Sequence, residues 1–389
     1  MLITVIIFII ILGVLIVAHE LGHFTTARIF KVKAEEFGFG YPPRIFGFVR
    51  KNDTGQWEKV GRKDDTTGYK KTVWSLNWLP FGGFVKIKGE DGQGKNETDS
   101  FGCKPIWQRF IILFAGVFMN FILCFVLLSI GFMAGIPTMV DDTLDPGLNA
   151  REEKIQIISV SEYSPASEIG LRLGDVILKI DDEEIKSIRQ VQEIISKSEG
   201  KEIRIVFFGA NGEETKSLLP RVIRNDFGKY EIGVGLVKTA IVSYPWYSAI
   251  YKGAEQTLGL TIAISKAFCN IISDLFMGKG AQVDVAGPVG IAVLTGQVIQ
   301  LGWLYVLQFT ALLSVNLAII NILPIPGLDG GRIIFLIIEK IKGAPIKQKI
   351  EGAVNQIGFF FILCIMVLVI FKDLRTYGSS IWNAIAGIF

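Results

Sequence analysis

Hydrophobic and polar positions along this chain are grouped in long blocks. The first apolar block runs from Leu2 to Ala18 without a charged side chain, and three similar blocks follow further along. About 20 apolar residues are enough to cross the hydrocarbon core of a bilayer. The last block is short, so its flanks would have to snorkel or the bilayer would have to thin. The pattern predicts four transmembrane helices, at 1–30, 106–136, 301–331 and 354–371.

The polar blocks between these segments resemble ordinary globular sequence. Residues 31–105 form a first loop, and residues 141–243 are long enough for one small domain. Within that domain, alternation in 201–208 predicts a strand and the spacing in 188–196 predicts a helix. A further stretch, 249–277, mixes apolar and charged residues, which predicts an amphipathic helix lying in the membrane interface.

Composition agrees with a membrane protein that carries a soluble part. Half of the residues are hydrophobic and the mean hydropathy is +0.45, yet 20% are charged. The net charge is only +3, and no basic stripe interleaved with aromatic residues is present, which argues against a nucleic-acid partner. The four cysteines are far apart and lack CxxC spacing, so we interpret them as packing residues.

The chain has only two histidines, His19 and His23, and they flank Glu20 in the run HELGH at the end of the first apolar block. Residues four apart share one face of a helix, so two imidazoles can bind one Zn²⁺ while the carboxylate addresses a water molecule. Ionisable groups inside a spanning helix are disfavoured by roughly 2.5–3.5 kcal/mol and are usually functional. The plain alternative is a signal anchor that matches the pattern by chance.

A catalytic zinc site of this type needs a third protein ligand. The best candidate is Asp329, in the run Asn321–Gly331 after the third apolar block. Two prolines break the helix there, which is tolerated at membrane depth where the segment lines a watered cavity. A spanning helix at 249–277 would place Asp329 on the opposite side from the histidines, which also favours an interfacial helix. The plain alternative for the Asp-Gly-Gly run is a surface turn.

Charge predicts the orientation of the chain. Basic residues follow the first apolar block and lie between the third and fourth, whereas the second block leads into three aspartates. By the positive-inside rule, loops 24–105 and 332–352 face the cytoplasm. Both chain ends and the domain at 141–243 then face outward.

HELGH at the end of a first span, Asn-x-x-Pro-x-Pro-x-Leu-Asp-Gly near the end of a third, and an inserted domain between them resemble the site-2 protease family. The closest resemblance is to its regulator-of-sigma-E protease branch, over nearly the whole chain. It implies one Zn²⁺ per chain held by His19, His23 and Asp329, with Glu20 as general base. It also implies that Asn321 helps to hold the substrate backbone.

The same resemblance implies a fold. It is a polytopic α-helical membrane protein with about four transmembrane helices, a membrane-associated β-rich loop and one inserted PDZ-like α+β domain. Residues 164–180 resemble the PDZ turn, short helix and strand, and residues 230–234 resemble the strand that cradles a peptide. Whether this groove binds a peptide or excludes bulky ectodomains by size stays open.

A helical substrate must unwind before its peptide bonds can be cut, and an exposed strand edge can pair with the unwound backbone. Two glycine-containing stretches, 37–40 and 79–87, are candidates for such an edge. The plain alternative is a pair of hairpins in a small soluble sheet. The residues predicted to contact substrate are Gly38, Phe39, Gly40, Gly82 and Gly83.

The expected function is therefore hydrolysis of peptide bonds within transmembrane segments of membrane proteins, such as anti-sigma factors or signal-peptide remnants. The expected location is a bacterial plasma membrane, with the active site toward the cytoplasm, the PDZ-like domain outside, and membrane lipid around the helices. A membrane-anchored PDZ scaffold with a non-catalytic metal site is the alternative. A zinc transporter would favour repeated halves, and the sequence shows no internal repeat.

Overall fold

A computed structural model describes residues 2–51, 54–62, 64–66, 68–90, 97–140, 149–161, 163–209, 212–222, 230–278 and 286–386. The chain divides into two compact units, one of residues 1–129 and 250–389 and the other of residues 130–249. The helices are α1 (Leu2–Ile29), α2 (Ile106–Ala134), α3 (Pro165–Glu168), α4 (Ile188–Lys197), α5 (Trp246–Phe276), α6 (Pro288–Leu301), α7 (Trp303–Ile322), α8 (Asp329–Lys342) and α9 (Gln348–Ala386).

The strands follow the same chain order. They are β1 (Ala34–Arg50), β2 (Trp57–Val60), β3 (Val73–Ile87), β4 (Ile136–Met139), β5 (Asn149–Val160), β6 (Val176–Ile180), β7 (Glu183–Glu184), β8 (Ile203–Gly209), β9 (Gly212–Leu218), β10 (Arg221–Val222), β11 (Tyr230–Glu231) and β12 (Val234–Ser243).

Four helices of the described residues are long and apolar enough to cross a membrane: α1, α2, α7 and residues 349–378 of α9. The segment expected at 301–331 comprises two helices, because α7 ends at Ile322 and α8 begins at Asp329. The two intervening prolines explain the break, since proline lacks the backbone N–H that donates a helical hydrogen bond. Helix α9 extends well beyond both ends of the segment expected at 354–371.

Helix α5 covers the stretch expected to be amphipathic and is not among these four. It packs against α2, because a Cβ placed on Gly253 would lie 2.2 Å from the hydroxyl of Ser129. One turn further along, the Thr257 hydroxyl lies 3.7 Å from the thiol of Cys124. The first turns of α5 therefore run beside a candidate spanning helix.

Helices α1, α2 and α8 share one apolar core. Ala27, Ile112 and Leu336 are buried together in it. An ion pair joins two of the helices, with Arg109 of α2 lying 2.6 Å from Glu339 of α8. These contacts hold α8 against α1 and α2.

The three strands of the first unit are ordered β2-β1-β3. Both long strands bend, so each contributes two segments to the sheet. Residues 36–39 of β1 pair with 83–86 of β3 on one side and with 73–76 of β3 on the other. The segment at 83–87 forms an outer edge of the sheet within the part of the chain that the structure describes.

The second unit contains a sheet in the order β4-β12-β5-β6-β8-β9, with β7 paired to β6. Its core is formed by buried aliphatic residues of the strands and of α4, including Ile157, Ile205 and Val191. Helix α4 begins at a Ser187 cap, whose hydroxyl accepts from the Gln190 backbone. Part of the predicted domain, at 141–148, lies outside the described residues.

Candidate metal centre

His19 and His23 lie one turn apart near the end of α1, and both are 7% exposed. Their Nε2 atoms are 3.2 Å apart. Asp329, the first residue of α8, places its Oδ2 at 3.1 Å from His19 Nε2 and at 3.3 Å from His23 Nε2. The three predicted ligand atoms therefore converge on one point, although they come from opposite ends of the sequence.

This triangle has the dimensions of a tetrahedral zinc site. Bonds of about 2.0–2.2 Å at tetrahedral angles place ligand atoms roughly 3.3–3.5 Å apart. The Asp329 Oδ2 atom is buried and accepts no hydrogen bond. Two imidazole lone pairs and a carboxylate oxygen in such proximity would repel one another unless a cation lies between them. The donor set thus fits a zinc ion.

The histidine rings are oriented by α2. The Nδ1–H of His23 donates to the Ile112 carbonyl at 2.8 Å, which leaves Nε2 with its lone pair toward the ligand triangle. The Asn120 side-chain amide lies 3.5 Å from His19 Nδ1, and its Oδ1 is buried without a partner. A half-turn of this amide would direct Oδ1 at the Nδ1–H of His19. Sequence reasoning missed Asn120, since an asparagine in an apolar helix was the only local signal.

The ligands fit only because α2 approaches α1 through glycine. A Cβ on Gly116 would lie 2.3 Å from His23 Nε2 and 2.9 Å from His19 Cε1. On α1, next to His23, a Cβ on Gly22 would lie 2.2 Å from the Ala115 carbonyl oxygen of α2. Both distances are far below normal van der Waals contact. The two glycines therefore set the distance at which α2 passes the ligands.

The Asp-Gly-Gly run at the beginning of α8 is more than a surface turn. A Cβ on Gly330 would lie 2.2 Å from the Leu323 carbonyl oxygen, and a Cβ on Gly331 would lie 2.4 Å from the Ile325 carbonyl oxygen. The segment that contains both prolines folds back directly onto these glycines. This close packing brings the first residue of α8, Asp329, to the histidines.

Glu20 lies between the two histidines in sequence and interacts electrostatically with both of them and with Asp329. The backbone of Val85, in the outer segment of β3, also interacts electrostatically with this carboxylate. Gly83 begins that segment, and a Cβ on it would lie 3.7 Å from Glu20 Cγ. The outer edge of the sheet thus passes directly beside the carboxylate.

The expectation that Gly38 and Phe39 offer a free strand edge is corrected by the sheet. Gly38 pairs with Phe84 on one side and with Ser75 on the other, and Phe39 pairs with Gly83 and Leu76. Their backbone groups therefore face strands on both sides, because β1 bends and inserts between two segments of β3.

Gly40 and Gly82 adopt positive φ angles of 84° and 109°, at the bends of these two strands. Such angles are readily available only to glycine. Gly83 begins the outer edge segment. Asn321 lies half-buried in the last turn of α7, two residues before the helix cap. Roles for these residues in substrate binding stay predictions.

Most of this chain matches a known protein family and its members. The sequence model of peptidase family M50 matches residues 7–58 and 65–365. The regulator of sigma-W protease RasP of Bacillus subtilis is 29% identical over 463 aligned positions, which cover 96% of this chain and 98% of that protein. The zinc metalloprotease RasP of Bacillus licheniformis is 28% identical, with coverage of 96% and 99%.

Among solved structures, the PDZ domain of the SdrC-like protein from Listeria innocua is 28% identical and covers 21% of this chain and 92% of that domain, with a TM-score of 0.20. The corresponding domain from Listeria monocytogenes is 23% identical over 25% of this chain and 93% of that domain, also with a TM-score of 0.20.

Proposed function

The chain belongs to peptidase family M50 and is a zinc metalloprotease of a kind that cleaves in membranes, and on this basis we propose that it hydrolyses peptide bonds within the transmembrane segments of other membrane proteins. The observation that carries the proposal is the convergence of His19, His23 and Asp329 within 3.3 Å of one another. Both histidines and Glu20 lie on a helix able to span a membrane. We assign those three residues as zinc ligands and Glu20 as the general base.

A zinc ion bound at such a site lowers the pKa of a water molecule to about 7 and polarises a carbonyl group. Glu20 accepts the proton of the attacking water and passes it to the nitrogen of the leaving amine. Burial of the ligands keeps bulk water away from the reacting bond.

The substrate strand is proposed to bind along residues 83–87 of β3. This outer edge segment lies beside Glu20 and is paired on only one side among the described strands. Backbone groups of an unwound substrate helix can pair with such an edge, which lowers the cost of exposing them in a membrane. The scissile bond would then lie next to the base.

The active site is proposed to lie toward the cytoplasmic side, and the second unit on the outer side. The positive-inside rule supports this orientation, because Arg28, Lys31 and Lys33 follow the end of the first spanning helix. The client class, such as anti-sigma factors or signal-peptide remnants in regulated intramembrane proteolysis, is part of the proposal. The relative from Bacillus subtilis is named a regulator of sigma-W protease.

A peptide is proposed as the ligand of the second unit, which we regard as PDZ-like. A groove of about 750 Å³ lies between α4 and the stretch from Tyr230 to Leu236, and Val191, Ile195 and Ile232 contribute apolar walls. Residues 234–237 of β12, which among the described strands pair only with β5, and an adjacent helix are the elements that a strand-adding peptide uses. Exclusion of bulky ectodomains by size is the competing role for the same unit.

The test of the proposed function is Glu20→Gln in purified full-length protein reconstituted in lipid vesicles with a single-span substrate. Cleavage should vanish while zinc content stays at one ion per chain, because glutamine leaves the three ligands in place. Glu255→Gln on the exposed face of α5 is the matched control and should leave cleavage unchanged. Cleavage that persists in Glu20→Gln would refute the assignment of the base. Substrate capture without cleavage by the wild-type protein would instead support the scaffold alternative.

A further inference from the structure

A cavity of about 810 Å³ lies in the first unit, away from the metal ligands, between the end of α1 and the three-stranded sheet. Seven of its lining residues are lysine or arginine, and one is acidic. The chain as a whole is nearly neutral, with 40 basic and 37 acidic residues. The basic side chains are therefore concentrated in this cavity well beyond what composition would give.

These basic residues come from four separate parts of the fold. Arg28 and Lys31 lie at the end of α1, and Arg50 ends β1. Lys70 and Lys71 precede β3, and both are exposed. A cluster assembled from distant segments requires the folded sheet. Such a concentration of positive charge is unfavourable by itself and attracts an anion.

The remaining two basic residues, Lys33 and Lys88, line the same cavity beside its single acid, Asp99. The Lys88 ammonium lies 2.7 Å from the Asp99 carboxylate, and this hydrogen bond holds the pKa of Asp99 below its usual range. Lys88 also pairs with Glu97. Both of these acidic groups are thus engaged by Lys88, and the lining that the structure describes stays strongly positive.

The level of this cavity relative to a bilayer follows from α1. At about 1.5 Å per residue, Arg28 lies roughly 38 Å along the helix from Ile3. The hydrocarbon core is about 30 Å thick, and about 40–45 Å with its headgroup layers. A helix that begins at one hydrocarbon surface therefore carries Arg28 into the opposite headgroup layer.

Aromatic side chains of the cavity agree with this level. Trp57 is 64% exposed and Trp74 is 42% exposed, and both line the cavity. On the same face of β3, Trp78 is also exposed. Exposed tryptophans are typical of the membrane–water interface, where the ring lies at headgroup level.

We propose that this cavity binds the phosphate of an anionic phospholipid headgroup from the membrane leaflet in which α1 ends. Lysine ammonium groups are compact point charges that suit a phosphate, and basic pockets beside membrane helices bind acidic headgroups. A lipid bound there would connect the end of α1, which carries the histidines, to the sheet, which carries the substrate edge.

The experiment measures lipid binding to the purified full-length protein by native mass spectrometry, with phosphatidylglycerol and phosphatidylcholine as probes. Wild-type protein should bind phosphatidylglycerol in preference to phosphatidylcholine. Each lysine near a headgroup contributes about a five-fold change in affinity, so Lys70→Gln with Lys71→Gln should weaken phosphatidylglycerol binding about 30-fold. The matched control is Lys347→Gln with Lys349→Gln, an exposed pair outside the cavity that removes the same charge; its affinity should match the wild type.

Thermal unfolding of both double variants verifies that they are folded, and the lipid preference of the wild type is a second measurement that needs no variant. Equal binding of the two lipids by the wild type, or equal loss in both double variants, would overturn the proposal. A further arm adds inorganic phosphate and glycerol 3-phosphate. Tight binding of these soluble anions in the absence of lipid preference would assign the cavity to a soluble phosphate and would also overturn it.

Discussion

Gly116→Ala should displace the proposed zinc ligands from their positions beside α2. The added methyl carbon would lie 2.3 Å from His23 Nε2 and 2.5 Å from its Cε1. Non-bonded carbon contacts normally lie at about 3.5 Å or more, so the ring or α2 must move by about 1 Å. Rotation of the alanine side chain cannot relieve the clash, because the position of its Cβ is set by the backbone.

A displacement of about 1 Å at a reacting centre costs on the order of 100-fold in rate. Loss of ligand orientation costs roughly 10- to 100-fold in metal affinity. We therefore expect Gly116→Ala to lower both zinc affinity and cleavage by about two orders of magnitude. Helix propensity alone would stabilise α2 in this variant, because alanine favours a helix over glycine by about 1 kcal/mol.

The assay compares zinc binding, by competition with a chromogenic chelator, and cleavage of a membrane substrate in vesicles. Gly259→Ala on α5 is the matched control, since a Cβ there meets nothing within 4 Å. It should leave both quantities unchanged. Wild-type zinc affinity and cleavage in Gly116→Ala would show that the close approach of α2 to the ligands does not exist, and would refute the reasoning.

Three further predictions follow from the same contacts. Asp329→Asn should lower zinc affinity by at least about 100-fold while α1 and its histidines remain folded. Zinc titration measures the affinity and circular dichroism measures the helix content. Unchanged affinity would exclude Asp329 as a ligand. Asn120→Ala should lower zinc affinity roughly 10- to 100-fold. Asn120→Asp keeps an acceptor for the His19 ring and should retain most of the wild-type zinc affinity. Equal losses in both variants would argue against a hydrogen bond to the ring. Arg109→Met should lower the free energy of unfolding by about 1–3 kcal/mol, because the half-buried Glu339 is left without its partner. The double variant Arg109→Met with Glu339→Leu should recover much of the loss in thermal unfolding; an additive loss would contradict the pairing.

Local sequence was sufficient for the parts of this protein that depend on short-range patterns. The apolar blocks predicted helices at the four places where the structure has candidate spanning helices. The i, i+4 spacing of His19 and His23 determined that both rings share one helix face. These features follow from helix geometry and from the cost of placing polar groups in lipid, both of which act over a few residues.

Tertiary structure decided what surrounds the ligands. The Ile112 and Asn120 contacts of the histidine rings span 89 and 101 residues of sequence, and no local pattern encodes them. Asp329 was identified by its sequence context, but only the folding of the proline segment onto Gly330 and Gly331 brings it to the rings.

The strand edge proposed to bind substrate shows the same limit most clearly. Two glycine-containing stretches were equivalent as sequence, yet the bend of β1 encloses Gly38 and Phe39 between two segments of β3 and leaves residues 83–87 at the outside beside Glu20. Strand register and order depend on pairing energies summed over the whole sheet, so a short stretch cannot specify which of its sides is exposed. The candidate ligand types were therefore determined by sequence, whereas their orientation and the exposed edge of the sheet were decided by the packing of α1, α2, α8 and the sheet.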